Sequence, residues 1–158
     1  MTTTPIQTEL LAALEQERIT LSDLLPRFSD EQWRANTRSD GWTVHDIAMH
    51  IADSSYGLSL IILGEVQPNL PVNPETGWMD VDDLNEQRRQ KNAALDRDKV
   101  MQRVTGSFDH ARRAIEHTDD LDAPGPLGPS RTKRSWLQQI VSHVESHRQE
   151  LEELIEQP

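Results

Sequence analysis

The feature that most constrains the fold is the spacing of apolar residues, which recur every three or four positions in four segments of the chain. This period matches one face of an α-helix, and no segment alternates apolar and polar residues for long enough to predict a sheet. We predict four helices, over residues 5–26, 43–63, 80–117 and 135–156. The third is either continuous or broken around 96–98. Two stretches that contain proline and glycine, 65–78 and 119–134, are predicted as loops. These features indicate an all-α fold, a four-helix bundle with two long interhelical connections, in one domain spanning residues 1–158.

Residues of the types that stabilise helix ends stand at three of the predicted boundaries. Thr4 precedes the first helix as a candidate N-cap. Thr43 and Asp46 have the spacing of a capping box at the start of the second helix. Ser135 and Gln138 have the same spacing at the predicted start of the last helix.

The charge balance argues against two large classes of partner. Acidic residues outnumber basic ones by 27 to 16, so the net charge is -11 and the isoelectric point is near 4.9. Nucleic-acid binding needs a positive patch that displaces phosphate counterions, and the basic cluster at 131–134 is too small. No apolar run approaches the roughly 18 residues of a membrane span, and the N-terminal stretch lacks the features of a signal peptide. We therefore expect a cytoplasmic protein that binds neither nucleic acid nor membrane.

The chain contains no cysteine. Disulfides, thiolate metal ligands and a cysteine nucleophile are therefore excluded. A bound metal must be held by histidine, aspartate or glutamate, or by water and backbone oxygens. Any thiol chemistry requires a thiol that arrives on a small molecule.

Helical geometry separates the histidines that face the predicted core from those that do not. A helix advances about 100° per residue. On this projection His147 falls inside the apolar face of the last helix, and His143 lies about 20° beyond the edge of that face. In the second helix His50 lies about 20° outside the apolar face, next to Ser54 inside it. His45 is predicted to point the opposite way, to solvent.

Three histidines therefore face inward, since His110 and His117 lie well off the apolar face of the third helix. A pair four residues apart on one helix and a third histidine on another have the arrangement of a metal site, because residues i and i+4 share a helix face. Three neutral imidazoles leave coordination positions open for water or substrate, as in catalytic zinc sites. The alternative interpretation is three hydrogen-bonded core histidines.

Two motifs resemble the DinB-like superfamily, which includes the N-terminal metal-binding domain of mycothiol-dependent maleylpyruvate isomerase and bacillithiol-type S-transferases. The first is "GWTVHDIAMHIADSSYG" (41–57), and the second is "HVESHRQEL" (143–151). The resemblance implies a four-helix bundle of DinB-like type, often a homodimer. It also implies a divalent metal (nickel, zinc or iron) on His50, His143 and His147. Characterised members activate a low-molecular-weight thiol, such as mycothiol or bacillithiol, for transfer or isomerisation.

Several residues near the motifs have both a functional and a structural interpretation. Asp46 could orient the free ring nitrogen of His50, or it could only cap the helix. Glu150 could do the same for His147, or it could belong to a solvated face. Ser54 is a candidate contact for a bound ligand.

Residues beside the two predicted loops form a second set of candidates. Trp78 and Trp136 could line a pocket or pack in the core. Arg131, Lys133 and Arg134 precede the predicted last helix, where they could bind an anion or could offset nearby acidic residues.

Three functional hypotheses remain open from the sequence. The first is an enzyme, a thiol S-transferase, isomerase or hydrolase, that uses a metal on three histidines to activate a small-molecule thiol or water against an electrophile. The second is a non-catalytic stress protein that binds a metal or a small ligand. The third is a helical dimer in which the histidines are core residues.

Overall fold

Helices dominate the computed structural model, which describes residues 3–35, 37–67 and 70–156. Within these residues the helices are α1 (Pro5–Leu24), α2 (Asp30–Arg34), α3 (Val44–Ile62), α4 (Asp82–Asn92), α5 (Arg97–His117) and α6 (Lys133–Ile155). A single turn of 3-10 helix, Leu25–Arg27, follows α1. A small antiparallel sheet pairs β1 (Pro124–Gly125) with β2 (Gly128–Thr132). None of the helices in this described part of the chain has the length and apolar character that a membrane span requires.

The four long helices bury one continuous apolar core. Helices α1 and α3 each pack against both α5 and α6. Fully buried side chains of this core include Leu21, Ile47, Ile51, Val100, Ile115, Leu137, Ile140 and Leu151. Because α3 and α6 lie side by side, polar residues at the edges of their apolar faces can meet each other.

A second, smaller core lies beneath the two long connections. Trp136 is fully buried there with Ile61 and Leu127, and the partly buried Leu70 and Val72 pack against them. The first connection also forms an isolated antiparallel bridge between Val72 and Met79. The two connections therefore pack on one another and on the ends of α3 and α6, which creates a wall beside the main core.

Two predicted helix starts are right, and of the two alternatives for the third helix the broken one occurs. Thr4 accepts a hydrogen bond from the backbone N–H of Gln7, and Thr43 forms the predicted capping box with Asp46. The predicted third helix is two helices, because the carboxylate of Asp96 accepts from the backbone N–H of Lys99 at 2.8 Å and starts α5 there.

The predicted start of the last helix is wrong by two residues. Helix α6 begins at Lys133, and its N-cap is Thr132, whose Oγ1 accepts from the backbone N–H of Ser135 at 3.1 Å. Ser135 is therefore inside the helix and not its cap. The small sheet was also not predicted, since strands of two and five residues are too short to show a period of two.

The prediction that His45 faces solvent is wrong. This side chain is 1 % exposed, and its Nε2–H donates to the backbone oxygen of Leu95 at 2.9 Å. The indole of Trp33 in α2 packs against the ring edge-on, with 6.1 Å between ring centroids. The face of α3 that carries His45 is covered by α2 and by the turn between α4 and α5, neither of which enters a projection of α3 alone.

Candidate metal centre

Three histidines from two helices meet at the junction of α3 and α6. His50 lies on α3, and His143 and His147 lie one turn apart on α6. One ring nitrogen of each residue lies within 4.8 Å of the others. The Nε2 atoms of His50 and His143 are 3.0 Å apart, and the three ring centroids are separated by 4.6 to 4.8 Å. The structure thus brings together the three histidines that the helical projection selected.

The local sequence explains why these side chains point at each other. His50 is flanked on α3 by the buried Ile47 and Ile51, which anchor that side of the helix in the core. On α6 the buried Ile140 and Val144 do the same for His143. His50 and His143 lie just beside an apolar stripe and His147 lies within one, so the imidazoles meet at the edge of the core when the stripes pack together.

The electrostatic setting keeps two of the imidazoles neutral. Burial, with the added effect of His143 and His147, lowers the pKa of His50 to about 2. Burial and the proximity of His147 lower the pKa of His143 to about 4. At neutral pH both rings therefore hold a free nitrogen lone pair, and this is the form in which histidine binds metal ions.

Two of the rings are oriented by a polar neighbour on the same helix. The Nδ1–H of His147 donates to a carboxylate oxygen of Glu150 at 3.0 Å, and the hydroxyl oxygen of Ser54 lies 3.4 Å from Nδ1 of His50. A hydrogen bond at Nδ1 directs the Nε2 lone pair away from the helix, toward the other histidines. Arg38 lies 3.5 Å from the second oxygen of Glu150 and holds that carboxylate from the far side.

Of the two roles predicted for Asp46, the structure shows helix capping. One of its carboxylate oxygens accepts from the backbone N–H of Thr43 at 3.0 Å, and Arg89 lies 3.7 Å from the same oxygen. Among the hydrogen bonds of residues 3–35, 37–67 and 70–156, none joins Asp46 to His50. The carboxylate is turned toward the start of α3, because it closes the capping box there.

A cavity of about 310 Å³ opens beside the histidines. His50 and His143 form part of its wall, with Ser54 next to them. Most of the remaining wall is apolar and comes from α3, α4, α6 and the first connection: Leu58, Ile61, Leu70, Met79, Val81, Leu84 and Ile140. Trp78 also lines the cavity and is 72 % exposed, so it lies at the rim. Of the two tryptophans that could line a pocket, Trp78 therefore does so, whereas Trp136 packs in the smaller core.

The basic residues of the segment 131–134 separate in the structure. Arg131 lines the cavity. Arg134 points away from it, toward Asp122, whose carboxylate accepts from Arg134 Nε at 3.0 Å. Lys133 is the first residue of α6 and is not part of the cavity wall. Only Arg131 of the three is thus placed to meet a ligand in the cavity.

The cavity wall also contains polar residues that the sequence did not indicate, among them Asp53, Arg88 and Gln139. Asp53 lies one turn beyond His50, and Gln139 lies one turn before His143, so helical spacing could have identified both. Arg88 comes from α4, and no local pattern relates it to the site. Burial raises the pKa of the Asp53 carboxyl, which also accepts a hydrogen bond from the Asn92 amide at 2.9 Å.

The histidine cluster fits a divalent cation. Two nitrogen ligands of a tetrahedral zinc ion, with bonds of about 2.0–2.1 Å, lie about 3.3 Å apart. The 3.0 Å between Nε2 of His50 and Nε2 of His143 is close to that value. Imidazole nitrogens suit zinc, nickel and iron alike, and the cavity beside the cluster leaves room for further ligands.

Comparison with known proteins agrees with the resemblance that the two motifs showed. No curated protein and no solved structure matches the chain. The family model of the mycothiol maleylpyruvate isomerase N-terminal domain matches residues 14–152, which include all three histidines. Since the match extends over most of the chain, the protein belongs to this family and, with it, to the DinB-like superfamily.

Proposed function

We propose that the protein is a metal-dependent enzyme that activates a low-molecular-weight thiol for transfer to an electrophile. In this proposal His50, His143 and His147 hold a nickel, zinc or iron ion, and the four long helices form a four-helix bundle of the DinB-like type. The observation that carries the proposal is the convergence of three imidazoles, two of which, His50 and His143, line a cavity. A divalent cation on three neutral ligands lowers the pKa of a bound thiol or water, which is what nucleophilic attack at neutral pH requires.

The residues of the chain prepare the site for that chemistry. The low pKa values of His50 and His143 mean that protons compete little with a cation at neutral pH. Glu150 keeps Nδ1 of His147 protonated and its Nε2 free. Asp53, which lines the cavity and has a raised pKa, is the group that we propose to accept the proton released by the bound thiol. Aliphatic side chains form much of the wall beside these groups, and such a lining would disfavour water next to the reacting atoms.

Mycothiol is the thiol that we propose first, because the matching family model carries its name. The chain itself has no cysteine, so the sulfur must come from such a cofactor. Bacillithiol is the second candidate thiol. We further propose a small-molecule substrate, a cytoplasmic homodimer and no nucleic-acid partner. The net charge of -11 supports this last point.

Metal analysis is the first test. We expect about one divalent metal ion per chain in untagged protein, and its loss in a His50→Ala/His147→Ala variant. His117→Ala is the matched control, because His117 is exposed at the end of α5, and it should keep the metal. Absence of metal after incubation with nickel, zinc and iron(II) would contradict the proposal.

Turnover separates the enzyme from the alternative of a non-catalytic binding protein. The metal-loaded protein is incubated with mycothiol and a chromogenic electrophile, and conjugate formation is followed by absorbance. We expect a rate that depends on both the metal and the three histidines. Tight metal binding without turnover, over a panel of electrophiles and with both thiols, would favour the non-catalytic stress protein.

A further inference from the structure

The guanidinium of Arg131 is held in the cavity wall by hydrogen bonds from two of its nitrogens, Nε and Nη2. Its Nε donates to the hydroxyl of Ser135 at 2.9 Å, and its Nη2 donates to the backbone oxygen of Ser135 at 3.2 Å and to the side-chain oxygen of Gln139 at 3.4 Å. The indole of Trp136 lies beneath it, 3.8 Å from the guanidinium carbon to the ring centroid. These contacts fix the orientation of the charged group.

The remaining nitrogen, Nη1, makes no hydrogen bond within the described residues, and no carboxylate among them forms a salt bridge with Arg131. Burial lowers the pKa of this side chain from its ordinary value, and no nearby acid offsets that effect. The side chain still carries its charge at neutral pH. A partly buried cation with free donors and no counter-charge is a site that an anion would complete.

The first interhelical connection holds Arg131 in place from the other side. The backbone at Gly77 lies so close that a Cβ atom there would meet Cγ and Cδ of Arg131 and the hydroxyl of Ser130, each at 2.8 Å. Gly77 also has a φ of +71°, which favours glycine. The arginine is therefore clamped between this connection and Trp136, so little side-chain entropy remains to be lost when a ligand binds.

We propose that the cavity binds a small amphipathic carboxylate, whose acid group pairs with Arg131 and whose apolar body lies along the apolar wall toward the histidines. This inference rests on the proposed function in one respect: the end of the ligand near the histidines would be the electrophile that accepts the thiol. The mixed character of the wall supports this ligand: it is mainly aliphatic, with Arg131 and Arg88 as its positive groups and Asp53 as its acid.

Helix geometry sets the length of the ligand. Gln139, which contacts the guanidinium, lies four residues before His143 on the same face of α6. Four residues correspond to a rise of about 6 Å. The acid group and the reacting atom of the substrate should therefore be separated by a distance on the order of 6 Å. An aryl or alkyl spacer of a few carbons has this length.

The test is a comparison of 4-phenylbutyrate with its neutral amide, by isothermal titration calorimetry, in chelator-treated and in metal-loaded protein. We expect the acid to bind at least about 10-fold more tightly than the amide, since a charge-assisted hydrogen bond to a partly buried cation has this effect. In Arg131→Gln the ratio of the affinities for the acid and the amide should fall to about 1. The preference should persist in Arg134→Gln, the matched control that removes the same charge outside the cavity.

Each further result decides for or against the proposal. Equal binding of acid and amide to the unaltered protein would overturn it, and this arm needs no variant to fold. A preference that survives in Arg131→Gln but disappears in Arg88→Gln would overturn the assignment to Arg131. If 3-mercaptopropionate shows the Arg131-dependent preference and 4-phenylbutyrate does not, the anion belongs to the thiol and the proposal is wrong.

The titrations, together with the turnover assay, distinguish failure of this inference from failure of the proposed function. Arg131-dependent binding of the acid in protein that takes up no metal would support the carboxylate site and contradict the metal enzyme. Metal-dependent thiol transfer to neutral electrophiles, with no preference for acids, would leave the enzyme intact and remove the carboxylate site.

Discussion

Acid should destabilise the metal-free protein steeply below pH 6.5, because two histidines are buried as neutral imidazoles. The pKa of His50 is lowered to about 2 and that of His143 to about 4, from 6.5 in the unfolded chain. Below pH 6.5 the unfolded chain therefore binds more protons than the folded protein, and the free energy of unfolding falls as the pH falls. The loss from His143 continues to about pH 4, and the loss from His50 continues to about pH 2.

The size of the effect follows from the two shifts. Between pH 7 and pH 5 each histidine lowers the free energy of unfolding by about 2 kcal/mol, so the pair lowers it by about 4 kcal/mol. Because the rings are partly exposed, water screens the charge, so these losses in the free energy of unfolding are upper limits. For a chain of this size the corresponding fall in Tm is roughly 8–16 °C.

Urea denaturation of chelator-treated protein, followed by circular dichroism at pH 7, 6 and 5, measures this loss. The unaltered protein should lose up to about 4 kcal/mol more over this range than the His50→Leu/His143→Leu variant, in which both groups are absent. His117→Leu removes an exposed histidine and should behave like the unaltered protein. Parallel pH profiles for the unaltered protein and the double variant would show that the two imidazoles are not buried in the neutral form.

Three further substitutions test the supporting structure. Glu150→Gln removes the charged acceptor at Nδ1 of an imidazole in the cluster, so metal affinity, measured by competition with a chelator, should fall about 10- to 100-fold; an unchanged affinity would contradict the orienting role. Gly77→Ala should cost about 1–2 kcal/mol in urea denaturation because of its positive φ and the collision with Arg131, whereas Gly57→Ala, within a helix and with open space at its Cβ, should stabilise by up to about 1 kcal/mol. Thr132→Val should cost about 1 kcal/mol through loss of the α6 cap, while Thr132→Ser should cost little; equal losses would mean that the hydroxyl is not the cap.

Local signals in the sequence were sufficient for the helical class and for several helix starts. Thr43 and Asp46 satisfy each other's backbone donors within one turn, so the start of α3 depends on residues only three positions apart. The break before α5 depends in the same way on Asp96. Such caps can be predicted because their partners are neighbours in the chain.

The histidine cluster was predictable for a related reason. His50 and His143 lie at the edge of an apolar stripe and His147 lies within one, and a stripe must face the core wherever the helix packs. The helical projection therefore indicated the direction of each imidazole. The two family motifs supplied the expectation that the stripes of α3 and α6 meet.

What the sequence by itself determined is thus the four long helices, the direction of their apolar faces and the three histidines that share a side. Only the tertiary structure decided what covers the remaining faces. His45 is buried because α2 and the α4–α5 turn lie over it, and Arg131 is a cavity residue because Gly77 and Trp136 enclose it. Whether a side chain is buried, and whether its hydrogen-bond donors are paired, depends on residues distant in the chain. The apolar periodicity of a helix gives the direction of its own faces only.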